Sequence, residues 1–192
     1  MSAGIGHNGG PSMEPGFGFR KHAWKRARQT LLPVLPLQIV RIRVERARRL
    51  GLDYRTYATI RATTGNDIVA FLFSGNALEL TRQRIRVPGA LTARITAMEE
   101  CDRIAAVHIP NVPDQVLAAN CGALDFAARA PAMTESWGNT RDRLVAILKA
   151  RGVRSRETVL ISATAVEREW SGAAKLAGLV SADRYFQRID AR

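Results

Sequence analysis

A chain of 192 residues that is 46% hydrophobic and 24% charged can bury one sizeable core. Its longest unbroken apolar run, Ile68–Phe73, excludes a membrane-spanning helix, and its two cysteines, Cys101 and Cys121, form neither a Cys-x-x-Cys pair nor a zinc-ligand spacing with any His. The formal net charge of +12 is uneven: residues 1–65 hold 12 Lys and Arg against Glu14, Glu45 and Asp53, whereas residues 66–192 hold 17 against 14 acids. A net +9 ahead of a net +3 points to a polyanionic partner at the front of the chain.

Residues 1–18 read as a flexible tail, with Gly4, Gly6, Gly9, Gly10, Gly16, Gly18, Pro11 and Pro15 and little to build a core. Gly4–Gly9 fits G-x-G-x-x-G, but that fingerprint needs a strand leading in and a helix leading out, so no cofactor is expected. A Gly-rich start is not the basic-then-apolar pattern of a secretory signal, and a cytoplasmic protein with reduced thiols is expected. The eight residues Gly4-Ile-Gly-His-Asn-Gly-Gly-Pro11 resemble an N-terminal signature of proteobacterial proteins, some of them prophage-encoded. The resemblance implies a bacterial origin and brings no fold or activity. Such a peptide also suits docking in a protein partner's groove.

From Phe19 to Leu32 a short basic helix is expected, with Trp24 among Lys21, Lys25, Arg26 and Arg28. Aromatic-plus-basic text suits single-stranded nucleic acid or a membrane surface. The preferred reading is one Trp anchoring the helix while the cations face water. Pro33 and Pro36 end this helix, and Pro36 suits the first turn of the next, which runs to about Arg49. Leu37, Val40, Val44 and Ala47 share one apolar face, and Arg41, Arg43, Arg46, Arg48 and Arg49 crowd the rest. Gly51 stops the helix, and Asp53 caps another over about Tyr54–Thr63.

Residues 43–62 carry helix-turn-helix spacing. Ala47 sits in the first helix, Gly51 in the turn between Leu50 and Leu52, and Tyr57 and Ile60 on the inner face of the second helix. The segment resembles the helix-turn-helix class of DNA-binding proteins, except that Arg46 stands where the class carries an apolar residue. The resemblance implies that residues 54–63 read DNA. Tyr54, Arg55, Ala58, Thr59 and Ala62 would face outward, with Arg61 near the edge; Arg55 would reach a guanine edge and Thr59 a thymine methyl or a phosphate, while Arg41, Arg43, Arg48 and Arg49 grip phosphates. DNA is placed ahead of RNA. An ordinary helical pair leading into the next domain is the alternative.

Beyond residue 65 three apolar runs read as buried strands: Asp67–Phe73, Asp102–Ile109 and Glu157–Ser162. Helical text separates them over about Gly89–Glu100, Asp114–Ala128 and Thr140–Arg151. A last helix carries Val166, Trp170, Ala173 and Ala177 on one face, with Thr164 and Glu167 as a capping box. This alternation predicts an α/β domain over residues 66–192, a small, mostly parallel sheet of three or slightly more strands covered on both faces. It is preceded by the tail (1–18) and a basic helical region (19–65).

In parallel α/β folds ligands sit outside the carboxyl ends of the strands. Those ends bring forward Ser74, Asn76, His108, Ser162 and Thr164 as candidate ligand-binding residues, against the reading that they only cap helices. The run Thr158–Thr164 resembles strand–loop text of phosphatase-like α/β hydrolases, which place carboxylates at strand ends to hold magnesium. Here Asp67, Asp102 and Glu157 stand at strand beginnings and no Asp-x-Asp occurs, so no metal ligand or catalytic residue is carried over. His108 and Cys121 are read as a satisfied strand-end His and a buried structural Cys rather than a base and nucleophile. No Walker A, G-x-S-x-G or H-E-x-x-H pattern occurs.

The expectation is therefore a non-catalytic nucleic-acid-binding or regulatory protein using the Arg-rich helices, with the sheet domain serving folding, self-association or effector binding. The alternatives are an enzyme or small-ligand binder at the strand ends, and an adaptor docking through the tail or basic helix.

Overall fold

A computed structural model describes residues 35–186 of the chain. The tail and the Trp24 helix lie outside the described residues. The chain divides into two units, Met1–Val40 and Arg41–Arg192, and the sheet and the packing described for it belong to the second. The compact unit thus begins at Arg41 rather than at residue 66.

Five strands form one all-parallel sheet: β1 (Ala70–Ser74), β2 (Asp102–Val107), β3 (Phe126–Arg129), β4 (Thr158–Ser162) and β5 (Gly178–Ser181), in the order β3-β2-β1-β4-β5. The helices are α1 (Leu37–Arg49), α2 (Tyr54–Thr64), α3 (Gly89–Thr96), α4 (Pro113–Ala119), α5 (Trp137–Ala150), α6 (Ala165–Ala173) and α7 (Ala182–Phe186). The α/β architecture expected from the alternating text is the one observed.

Strand periodicity explains the layering. Successive side chains point to opposite faces, so β1 sends Phe71 and Phe73 one way and Ala70 and Leu72 the other. The first face packs on Ala47 and Leu50 of the α1–α2 region, Tyr57 and Ile60 of α2, Ile95 of α3, Val116 of α4 and Tyr185 of α7. The second packs on Leu144, Ile147 and Leu148 of α5 and on Trp170 of α6. β1 is central and fully buried: Ala70 pairs with Asp102 on one side and with Thr158 on the other. A strand buried on both faces and both edges has to be a continuous apolar run, which is why β1 was legible.

The helix-turn-helix-like segment is part of this core. Gly51 turns the chain at φ 66°, and Asp53 caps α2 by accepting the Thr56 amide at 2.8 Å. Tyr185 donates its hydroxyl to the Leu50 carbonyl at 3.2 Å, and Arg94 Nη2 reaches the Gly51 carbonyl at 2.6 Å. At Gly178 of β5 a Cβ would meet Ile60 Cγ1 at 2.8 Å, so α2 lies directly against the sheet backbone. The α1 face differs from expectation, because Val44 is exposed while Ala47 is buried. Arg46 takes the inward place. Its guanidinium donates to the Ile68, Glu99 and Glu100 carbonyls at 2.9, 3.3 and 3.1 Å and pairs with Asp67 at 3.2 Å. The residue that departs from the helix-turn-helix pattern is therefore a clamp between α1 and the segments that lead into β1 and β2.

Two strands were not expected: β3 replaces the end of an expected helix, and β5 follows a helix that stops early. α4 stops at Ala119, where Asn120 donates to the Ile85 and Val116 carbonyls and accepts the Val87 amide, and β3 follows. α6 stops at Ala173, Lys175 turns the chain at φ 51°, and Ala177 leads into β5. Both strands are four residues long. α3 likewise ends at Thr96, short of the expected Glu100.

Candidate functional site

The chain runs outward through β1, β2 and β3, then crosses back to lay β4 and β5 on the far side of β1. The β1/β4 boundary is thus a topological switch point, where the loops leaving neighbouring strands part and open a crevice. A crevice of about 710 Å³ opens there, lined by Asn76 after β1, His108 after β2, Arg129 at the end of β3 with Ala130–Glu135 after it, and Thr164–Glu167 after β4. Trp170 of α6 and Arg143 of α5 complete it.

Its floor is a closed hydrogen-bond network around Glu167, only 2% exposed. Asn76 Nδ2 donates to Glu167 Oε1 at 2.9 Å, and His108 Nε2 lies 2.9 Å from the same oxygen. The Ala163 and Thr164 amides donate to Oε2 at 3.0 and 2.9 Å. Burial alone would raise this carboxyl, but hydrogen bonds from His108, the Thr164 amide, the Ser74 hydroxyl and the Ala163 amide outweigh it and hold the pKa at about 2. Glu167 is therefore an ionised, acceptor-only group at neutral pH, and His108 donates to it through Nε2. The expected capping box is present, and it also delivers this carboxylate to the crevice.

The walls are apolar. Ile109 and Met133 at the mouth are 76% and 79% exposed, Val166 is also exposed, and the buried Trp170 ring lies 5.6 Å from the His108 ring. Two cations reach the crevice in different states. Arg143 is held by Glu135 through bonds of 3.0, 3.1 and 2.8 Å, which keep the Glu135 carboxyl below its ordinary range. Arg129 donates Nη1 to the Asn111 carbonyl at 2.7 Å and meets no carboxylate among the described residues.

Of the five strand-end candidates, Asn76, His108 and Thr164 line the crevice. Ser74 lies beneath it, fully buried, accepting the Ala77 amide at 3.1 Å. Ser162 is fully buried, and its hydroxyl has no partner among the described residues. Sequence reasoning placed Glu167 and Trp170 on a helix without giving them a site, and it missed Arg129, Met133, Glu135 and Arg143. The text of β3 reads as helix, which hides the carboxyl end that carries Arg129, Met133 and Glu135, and Arg143 sits on a helix with no local mark of a site.

The Arg-rich helices present fewer free cations than their text. Arg48 pairs with Glu45 at 2.6 Å, Arg49 with Glu100 at 3.0 Å, and Arg61 with Asp67 at 3.2 Å. Arg41, Arg43 and Arg55 make no ion pair among the described residues. Arg55, Thr59 and Ala62 are exposed as expected, whereas Tyr54 and Ala58 are partly buried. A second depression of about 550 Å³ runs between α2 and β5, lined by Arg55, Thr56, Thr59, Thr63, Gly178 and Arg184.

Cys101 and Cys121 are both free. Cys121 is exposed rather than buried, and the partner of His108 is Glu167. Burial pushes the Cys101 thiol up to about 11, which leaves it a poor nucleophile. Among the described residues no group of three His, Cys, Asp or Glu is placed to hold a metal, and no helix is long and apolar enough to cross a membrane. No protein-family model, curated protein or solved structure matches this chain.

Proposed function

We propose that this protein binds a small organic ligand in the crevice at the carboxyl ends of β1–β4. The observation that carries the reading is the crevice itself. It has about 710 Å³ of space, apolar walls and a few fixed polar groups on a saturated floor, the general form of small-molecule sites. Exposed Ile109 and Met133 at its mouth are costly to leave in water and gain from being covered.

Ala132 lines the crevice from an exposed position, so Ala132→Trp fills it at little cost to folding. In a thermal-melt panel of organic acids, nucleotides and sugar phosphates, at least one compound is expected to raise the wild-type midpoint. At 100 times its Kd the rise is about 5–10 °C. The same compound should not move Ala132→Trp. Stabilisers that act equally on both proteins, or none in the panel, would count against the site.

The Arg-rich helices support a second reading, nucleic-acid binding through Arg41, Arg43 and Arg55. Of the cations on these two helices, these three alone make no ion pair among the described residues, so for binding through them the logarithm of affinity should fall against the logarithm of salt with a slope no steeper than about −3. Their joint replacement by Ala should remove binding to duplex DNA. A steeper slope that survives the triple replacement would contradict this reading.

A further inference from the structure

We infer that the ligand of the crevice is an organic anion with an apolar body, and that Arg129 receives its charge. The inference rests on the reading of the crevice as a ligand site and adds the chemical class of the ligand.

Charge accounting inside the crevice leads to it. Glu167 is ionised but saturated: Asn76 and His108 fill Oε1, and two backbone amides fill Oε2. Glu135 and Arg143 neutralise one another. Arg129 is left, a partly buried guanidinium with one N–H given to the Asn111 carbonyl and no carboxylate beside it among the described residues. A guanidinium has five donors in a planar fork that matches a carboxylate or sulfonate, so most of the capacity of this crevice-lining residue has no partner among the described residues. A cation at the edge of an apolar cavity is underserved by water, and an entering anion makes charge-assisted hydrogen bonds that strengthen in that setting.

The other ligand classes fit less well. A cationic ligand would meet Arg129 and find each carboxylate already engaged. A neutral one would leave most of the Arg129 donors without a charged acceptor. A small inorganic anion would leave Ile109, Met133, Val166 and the Trp170 edge uncovered. An apolar organic acid satisfies both the charge and the walls.

The test is a pair of fluorescent probes that differ in charge: 8-anilino-1-naphthalenesulfonate and its uncharged parent, N-phenyl-1-naphthylamine. Both are titrated into the full chain as wild type, Arg129→Met, Arg129→Gln and Ala132→Trp. Gln keeps a donor for the Asn111 carbonyl while removing the charge, and melting curves check that each variant is folded. Both Arg129 variants should weaken the sulfonate about 10-fold or more, the scale of a lost charged hydrogen bond, and leave the neutral probe within about 2-fold. Ala132→Trp should weaken both probes. Equal losses for the two probes, or no loss of the sulfonate in a folded Arg129 variant, would overturn the anion inference. If Ala132→Trp still weakens both probes, the crevice stands as a ligand site; if it weakens neither, the crevice itself is refuted.

Discussion

Replacing Glu167 by Gln is expected to destabilise the protein by on the order of 3 kcal/mol at pH 7. The carboxylate accepts from Asn76, His108 and the amides of Ala163 and Thr164, and an amide would turn an NH₂ group towards one set of those donors. The penalty should depend on pH. In the folded protein this carboxyl titrates at about 2 against an ordinary 4.5, because the hydrogen bonds outweigh the effect of burial. A depressed folded pKa contributes stability that is fully present above about 4.5 and is lost as pH falls towards 2. The gap between wild type and Glu167→Gln in urea unfolding should therefore be widest at pH 5–7 and shrink through the window from 4.5 to 2. A gap under about 1 kcal/mol, or one that does not change with pH, would show that the network is not built on an ionised Glu167.

Tyr57→Ala should cost about 3–5 kcal/mol, the range for removing a buried aromatic. Tyr57 is fully buried in the core shared with Phe71 and Phe73, and its hydroxyl donates to Asp67 at 2.8 Å. Because α2 and the sheet share that core, circular dichroism and tryptophan fluorescence should shift together to lower denaturant. A variant in which helix signal is lost first, while the fluorescence transition stays in place, would mean that the α1–α2 pair folds apart from the sheet.

The parts of this fold that could be read in the text are those where one physical demand dominates. β1 and β4 are buried on both faces, so Ala70–Ser74 and Thr158–Ser162 are near-continuous apolar runs. The Asp53 cap and the Thr164–Glu167 capping box are local patterns and appear where expected. β3 was hidden because Phe-Ala-Ala-Arg has no β-branched residue and follows helical text. Its strand state comes from pairing with Ile104–Val107, a tertiary cause. β5 was hidden because Leu176 and Ala177 continue the apolar spacing of α6 beyond the turn at Lys175.

The site was half legible for the same reason. Topological reasoning found Asn76, His108 and Thr164, since these follow strands that were themselves legible. It could not find Arg129 or the Pro131–Glu135 wall, which follow the hidden strand. Charge was the weakest guide. Arg46, Arg48, Arg49 and Arg61 look like a polyanion grip in one dimension, but Glu45 pairs Arg48 within the helix, and Asp67 and Glu100, which pair the others, become neighbours only on folding. Except for Glu45, these lie in the stretch whose balanced charge seemed to set it apart from the helices.

The most direct test of the crevice as the ligand site is an amide nitrogen–proton correlation spectrum of the full chain, titrated with 8-anilino-1-naphthalenesulfonate. The largest shifts should fall on Asn76, His108, Arg129, Ala130, Ala132 to Glu135 and Thr164 to Glu167, together with the indole N–H of Trp170 rather than that of Trp137. Shifts centred on Arg41, Arg43 and Arg55 instead, with the strand-end residues unmoved, would contradict the account and return the Arg-rich helices to first place.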